Sequence, residues 1–240
     1  MSLLSAAHCF QVKGRPTIKA PQDVSALVGK HNLRDHDESG SSAHKVWDIV
    51  LNKDWDYNAY DYDADISLVV LQYQVDLSDP SRVGVICLPL SSQNEMSGSG
   101  TVVGWGISEK SIKKGESHDS TPNELKLPAV AQSQCFDNDD RFVIASSNRT
   151  FCAGFVNQNK SACQGDSGGG WFSLDWTSKA YNLAGIVSAS LNDPFSYCVS
   201  QTYSIFTDVT KFVDWIENTM EETKEVKWDD VEFWCEYQFG

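Results

Sequence analysis

The apolar residues of this chain arrive in short runs, and that pattern limits what it can fold into. "DISLVVLQYQV" (65–75), "RVGVICLPL" (82–90), "GTVVGWG" (100–106), "LAGIVSAS" (183–190) and "TYSIFT" (202–207) are rich in Val, Ile, Tyr and Thr. Polar stretches containing Gly or Pro separate them, which is the signature of an all-β body made of short strands. One segment departs from it. Val209, Phe212, Val213 and Ile216 recur at i, i+3, i+4 and i+7 behind Thr207 and Asp208 as capping candidates, so an amphipathic helix is expected near the end.

A chain of 240 residues can form one large β domain or two small ones. The Ser/Gly-rich "SSQNEMSGSG" (91–100), which follows Pro89, is the expected internal boundary and divides residues 1–92 from 93–220. Residues 221–240 read as a tail in which seven acidic and two basic side chains alternate with Trp228, Phe233, Trp234, Tyr237 and Phe239. The tail either docks its aromatics on the body or binds a partner through them.

The formal net charge is −14, so the field of the molecule repels phosphate backbones and anionic membranes. No nucleic-acid or membrane partner is expected, and no apolar run is long enough to cross a bilayer. The seven cysteines include no CxxC, and His8, His31, His36, His44 and His118 are scattered. That argues for a disulfide framework formed in an oxidising compartment rather than a zinc site. Sequons at Asn148 ("NRT") and Asn159 ("NKS") point the same way, towards an extracellular glycoprotein. The opening "MSLLSAAHCFQVKGR" lacks the charged and apolar regions of a secretion signal, so the true start is expected to be processed away or missing. Asp35, Asp37 and Glu38 of "RDHDESG" (34–40) make a poor calcium loop on ligand count, and no metal or cofactor is expected.

The strongest chemical signal is "SACQGDSGGG" (161–170). Its glycines let the backbone turn sharply and leave amide N–H groups free to point at one spot, beside the hydroxyl of Ser167. Serine is a weak nucleophile on its own and needs a base within hydrogen-bond reach, oriented by a buried carboxylate. His8 in "SAAHCF" is the candidate base. Asp65, at the mouth of the apolar run "DISLVVL", is the candidate carboxylate.

The segments "SAAHC", "DADISLVVL", "GWG", "CQGDSGG" and "GIVS" stand in the order found in trypsin-like (chymotrypsin-fold) serine proteases, and the chain resembles that family from Leu3 to about Ile216. The resemblance implies an all-β fold of two antiparallel Greek-key barrels, the first incomplete, with a C-terminal α-helix and the site in the cleft between the barrels. It implies that Ser167 attacks a peptide carbonyl, His8 shuttles the proton, Asp65 orients His8, and the N–H groups of Gly165 and Ser167 form the oxyanion hole. It further implies disulfides Cys135–Cys152 and Cys163–Cys198. Cys9 would pair with a cysteine upstream of the catalytic histidine, and Cys87 with a pro-domain or other chain. Neither partner occurs here, Cys87 with Cys235 is conceivable, and an odd count leaves at least one thiol unpaired within the chain.

By the same resemblance Ser161, Ser190 and Ser204 stand at the substrate-binding pocket, and Ala189 replaces a usual Trp. A serine at 161 cannot compensate a buried cation, and serines on the walls narrow the pocket. The implied preference is for small or medium apolar residues rather than Arg or Lys. Asp166 is the acid that would receive a new N-terminus made by activation cleavage, so the chain as written is expected to be zymogen-like or inactive. The reading is a secreted serine endopeptidase from a zymogen of a proteolytic cascade, acting on protein or peptide substrates. The alternative is a non-catalytic homologue that binds or regulates a partner, and "GDSGGG" for the usual "GDSGGP" does not decide between them.

Overall fold

A computed structural model describes residues 1–89, 97–158, 160–175, 179–191 and 202–224. The first half forms a four-stranded antiparallel sheet from β1 (Ser2–Ser5), β2 (Ser25–Val28), β3 (Ser42–Leu51) and β4 (Ser67–Leu71), in the order β1-β4-β3-β2. The second half closes a barrel from β5 (Ser99–Gly104), β6 (Asn123–Val130), β7 (Thr150–Ala153), β8 (Gly170–Asp175), β9 (Ala180–Ser190) and β10 (Ser204–Asp208). Around the barrel the order is β10-β7-β6-β5-β8-β9. Short helices α1 (Glu109–Lys114), α2 (Gln132–Asn138) and α3 (Arg141–Ala145) decorate it, and α4 (Val213–Lys224) follows its last strand. A closed barrel, a half-barrel sheet and a C-terminal helix are the all-β architecture expected from the resemblance.

Strand β4 explains why the halves hold together. All five of its residues are buried, which a strand covered on both faces requires. Leu68 and Val70 point into a core shared with Ile186, Val209, Phe212 and Ile216 of the second half, while Val69 and Leu71 point into a core with Phe10, Val46 and Ile49. A third core fills the barrel around Trp171, Phe151 and Phe206. The Phe151 ring meets Trp171 edge-on and stacks on Phe206, with centroids 5.4 and 5.3 Å away.

Two expectations need correction. Residues 82–89 form no strand, because the segment touches the barrel through a single bridge, Cys87 to Asn182. Cys87 N–H donates to Tyr181 O and Leu183 N–H to Cys87 O, while Val83 and Leu88 pack against two different cores. Its apolar residues fasten a connection rather than build a ladder. The helical periodicity that begins at Val209 spans two elements. Asp208 accepts from Thr210 N–H at 3.0 Å and starts a 3-10 turn, Val209–Lys211, and α4 begins at Val213. The aromatic part of the tail, 225–240, lies outside the described residues, as do Leu90 and residues 91–96 of the boundary segment, whose Ser99 and Gly100 open β5.

Candidate active site

His8 sits on a 3-10 turn, Ala7–Cys9, directly after β1. Ser67 Oγ at the start of β4 donates to Ser5 O at 3.1 Å and Ala6 O at 3.3 Å, which fixes where the turn leaves the sheet. Asp65 lies just before β4, and its side chain is wholly buried. Its Oδ1 accepts His8 N–H at 2.8 Å, and its Oδ2 lies 2.7 Å from His8 Nδ1 and accepts Ser188 Oγ at 2.5 Å. Thr207 Oγ1 donates to the Asp65 carbonyl at 2.9 Å. A buried carboxylate is tolerable only when its oxygens are met in this way.

Burial of the imidazole works against its proton. The hydrogen bond that Asp65 accepts, the contact with Cys9 and the charge of Asp65 outweigh it, and the His8 pKa is pushed up to about 10. Nε2 faces Cys9 Sγ at 3.8 Å, and Cys9 is a free thiol whose Sγ also reaches Ser167 O at 3.6 Å. Ser167 thus lies across that thiol from His8, and among the described residues no hydrogen bond joins its Oγ to the imidazole. Bonds of this kind often tighten only when substrate binds.

The turn carrying Ser167 is locked to the barrel. Gly168 N–H donates to Val187 O at 2.8 Å, and Val187 N–H to Gly169 O at 2.8 Å. Gly168 has φ +81°, and a Cβ there would lie 2.3 Å from Ser5 Oγ, so only glycine lets this turn meet the end of β1. Among the described residues, the N–H groups of Gly165 and Ser167 donate to no acceptor.

Asp166 turns away from that face. Its Oδ1 accepts Gly106 N–H and its Oδ2 accepts Cys163 N–H, both at 2.9 Å, and a Cβ on Gly106 would collide with the carboxylate. Burial, with the charge of Asp119, holds its carboxyl above the usual range despite those donors. It borders a cavity of about 230 Å³ lined by Val102, Gly104, Ile107, Leu125 and Ser161. Ser161 Oγ is buried and has no partner among the described residues. Ser190 Oγ donates to Ala162 O at 3.0 Å and lies 3.0 Å from Ser204 Oγ, so these two wall serines close on each other across paired strands β9 and β10.

Cys135 and Cys152 form a disulfide, and Cys87 and Cys163 are also disulfide-bonded. Cys198, Cys235 and Asn159 lie outside the described residues. Asn148 is exposed at the turn before β7. Glu38 is tied to its own loop, accepting from His31 and Asn32 N–H and pairing with Lys30 at 3.4 Å, and Asp35 accepts Asp37 N–H. Among the described residues no cluster of His, Cys, Asp and Glu could hold a metal ion, and no helix is long and apolar enough to cross a membrane.

Sequence reasoning missed Ser188 and Thr207, which complete the hydrogen bonding of Asp65. A signal existed for Ser188, a lone hydroxyl inside the apolar run "LAGIVSAS" that burial obliges to find an acceptor.

The model of the family described as Trypsin matches residues 2–216. Serine protease gd of Drosophila melanogaster is 30% identical over 241 residues, covering 89% of this chain and 45% of that protein. Limulus clotting factor C of Carcinoscorpius rotundicauda is 30% identical over 223 residues, covering 89% of this chain and 21% of its own length. Cationic trypsin-3 of Rattus norvegicus is 29% identical over 223 residues, covering 91% of this chain and 75% of its own. This chain therefore spans less than half the length of the fly and horseshoe-crab proteins and most of the length of the rat one. With a family match running through both β layers, and with a buried carboxylate, an imidazole and a serine turn gathered where those layers meet, the chain belongs to the trypsin family of serine endopeptidases.

Proposed function

We propose that this chain is the protease domain of a secreted serine endopeptidase that cleaves protein substrates through an acyl-enzyme. The observation that carries the reading is the buried Asp65, whose Oδ1 accepts His8 N–H and whose Oδ2 meets both His8 Nδ1 and Ser188 Oγ. In this reading Asp65 holds the His8 ring with Nε2 towards the reacting centre and stabilises the imidazolium. His8 takes the Ser167 proton, Ser167 Oγ bonds to the carbonyl carbon, and the N–H groups of Gly165 and Ser167 receive the oxyanion. His8 returns the proton to the leaving amine, and water then releases the acyl group by the same steps.

The finer reading is a zymogen of a proteolytic cascade. Asp166 is supported in that role by the cavity it borders and by its lack of an ion pair among the described residues; a new α-amino terminus entering there would supply the missing cation. Three disulfide-bonded positions besides Cys87 and an exposed Asn148 sequon favour an oxidising, extracellular setting. The Ser190–Ser204 contact and the unpartnered Ser161 hydroxyl favour a small or medium apolar residue before the cleaved bond, not Arg or Lys.

A fluorophosphonate probe tests this. The chain, and a form given a cleavable N-terminal extension and then cleaved, are both treated with it. Labelling at Ser167 in the cleaved form, absent in Ser167→Ala, is the expected result. No labelling in either form would leave the non-catalytic, partner-binding homologue.

A further inference from the structure

Asp65 and Asp63 are two residues apart yet serve different partners, and the residue between them is the reason. Ala64 is fully buried with φ 53°, a left-handed conformation that costs a side-chain-bearing residue, and Ile66 N–H closes the turn on Ala64 O at 2.7 Å. The turn sends one carboxylate to His8 and the other to Arg149. A strained turn persists only when its surroundings over-determine it.

Arg149 supplies much of that determination. Its Nε donates to Asp63 Oδ1 at 2.9 Å and its Nη2 to Asp63 Oδ2, a two-pronged pairing, while Nη1 reaches Asp54 Oδ2 at 2.7 Å. Ser147 Oγ adds a bond to Asp63 Oδ1 at 2.6 Å, and the guanidinium lies 5.1 Å over the Phe212 ring. The arginine is itself anchored. Its carbonyl accepts Asp208 N–H at 2.9 Å, next to Thr207, whose hydroxyl holds the Asp65 carbonyl. Tyr62 N–H adds a bond to Ala145 O at 3.1 Å. Both ends of the Asp63–Ala64–Asp65 turn are therefore gripped by the barrel half, one through Arg149 and one through Thr207 and Ser188.

We propose that Arg149 is a positioning residue, whose fork on Asp63 holds the left-handed turn that aims Asp65 at His8. This rests on the reading of Asp65 and His8 as a catalytic pair. Only a planar guanidinium makes the paired bonds to Asp63 while reaching Asp54 and lying on Phe212, so lysine does not substitute.

The test compares Arg149→Met, Arg149→Lys, Asp63→Asn, Asp65→Asn and Arg34→Gln in the activated protein. It reads kcat and KM on a peptide substrate, and the His8 titration by NMR. Arg149→Met is expected to lower kcat about 10- to 100-fold with KM within about twofold, as a small misplacement of a reacting group does. It also lowers the His8 pKa by about one unit as the Asp65 bond loosens. Arg149→Lys recovers little. Asp63→Asn, which keeps the side-chain volume and removes the partner's charge, shifts both readouts in the same direction and stands in if Arg149→Met does not fold. Arg34→Gln changes neither. If the Arg149 and Asp63 variants lower only thermal stability, leaving kcat and the His8 titration at wild-type values while Asp65→Asn collapses both, the proposal is overturned. If Asp65→Asn itself moves neither, the catalytic reading fails instead.

Discussion

The closed barrel and the open four-stranded sheet divide the site unequally. In the barrel every strand is paired on both edges, and its core is built round a buried Trp and two Phe. The sheet ends at β1 and β2, and its own core is of smaller aliphatic residues with Phe10. Yet the sheet half carries the pair with the tightest geometry, His8 and Asp65, while the barrel carries Ser167. The lesson is that the pair owes its geometry to barrel residues that grip it: Ser188, Thr207 and, through Asp63, Arg149.

The sharpest way to join the two halves is catalysis. On the proposed catalytic reading, His8→Ala from the sheet and Ser167→Ala from the barrel each reduce kcat by on the order of 10⁴-fold or more, and the double variant is scarcely worse, because the residues would act as a unit. Peptide hydrolysis measures it, and additive losses would break the idea of one site spanning two layers.

Stability separates them next. Leu127 in the barrel and Leu71 in β4 are both fully buried, so Leu→Ala is the same chemistry in two settings. About 4 kcal/mol is expected at Leu127 and nearer 2 kcal/mol at Leu71, since an open sheet collapses onto a cavity more readily than a closed barrel. Urea unfolding decides it, and equal losses would mean the sheet is as rigid as the barrel. Removing the Cys135–Cys152 bridge, which joins positions 17 residues apart, lowers barrel stability by about 3 kcal/mol in the same assay.

The His8–Asp65 contact gives a pH signature. Its folded pKa of about 10 lies above the free value of 6.5, so the contact stabilises the fold fully below pH 6.5 and stops doing so as pH rises through about 10. Asp65→Asn removes that alkaline dependence, and the His8 resonance then titrates well below 10, because burial still works against its proton. On the proposed role of His8 as the base, hydrolysis climbs with pH over the same range, because a base must be neutral to accept a proton. The smallest effect belongs to Arg34 and Glu116, 2.6 Å apart and linking the two halves at the surface. Arg34→Gln leaves the urea midpoint close to its wild-type value, as an exposed pair held by solvent-screened charges should.

How far the sequence could be read follows the range of the forces involved. Strands β4, β5, β9 and β10 were legible because alternating or continuous apolar residues need only the neighbouring sheet face to make sense of them. The mixed strands β3, β6 and β8 were not, because barrel neighbours far along the chain decide which of their faces is buried. The serine turn was legible because glycines around a hydroxyl are a local pattern. Arg149 was not, because a single arginine after an Asn has no local distinction.

By itself the sequence determined the inventory: short strands, a glycine-bracketed serine, a carboxylate before an apolar strand, and the histidine and cysteine that follow "SAA". Only the tertiary structure decided that Asp65 would be met by Ser188 and Thr207, 123 and 142 positions away, and that Asp63 would turn from it to Arg149, 86 positions away. It also decided that 82–89 is a fastening rather than a strand. Hydrogen bonds to buried carboxylates are directional and short, so they are set by which distant segments the two β layers bring within 3 Å, and no local propensity along the chain encodes that.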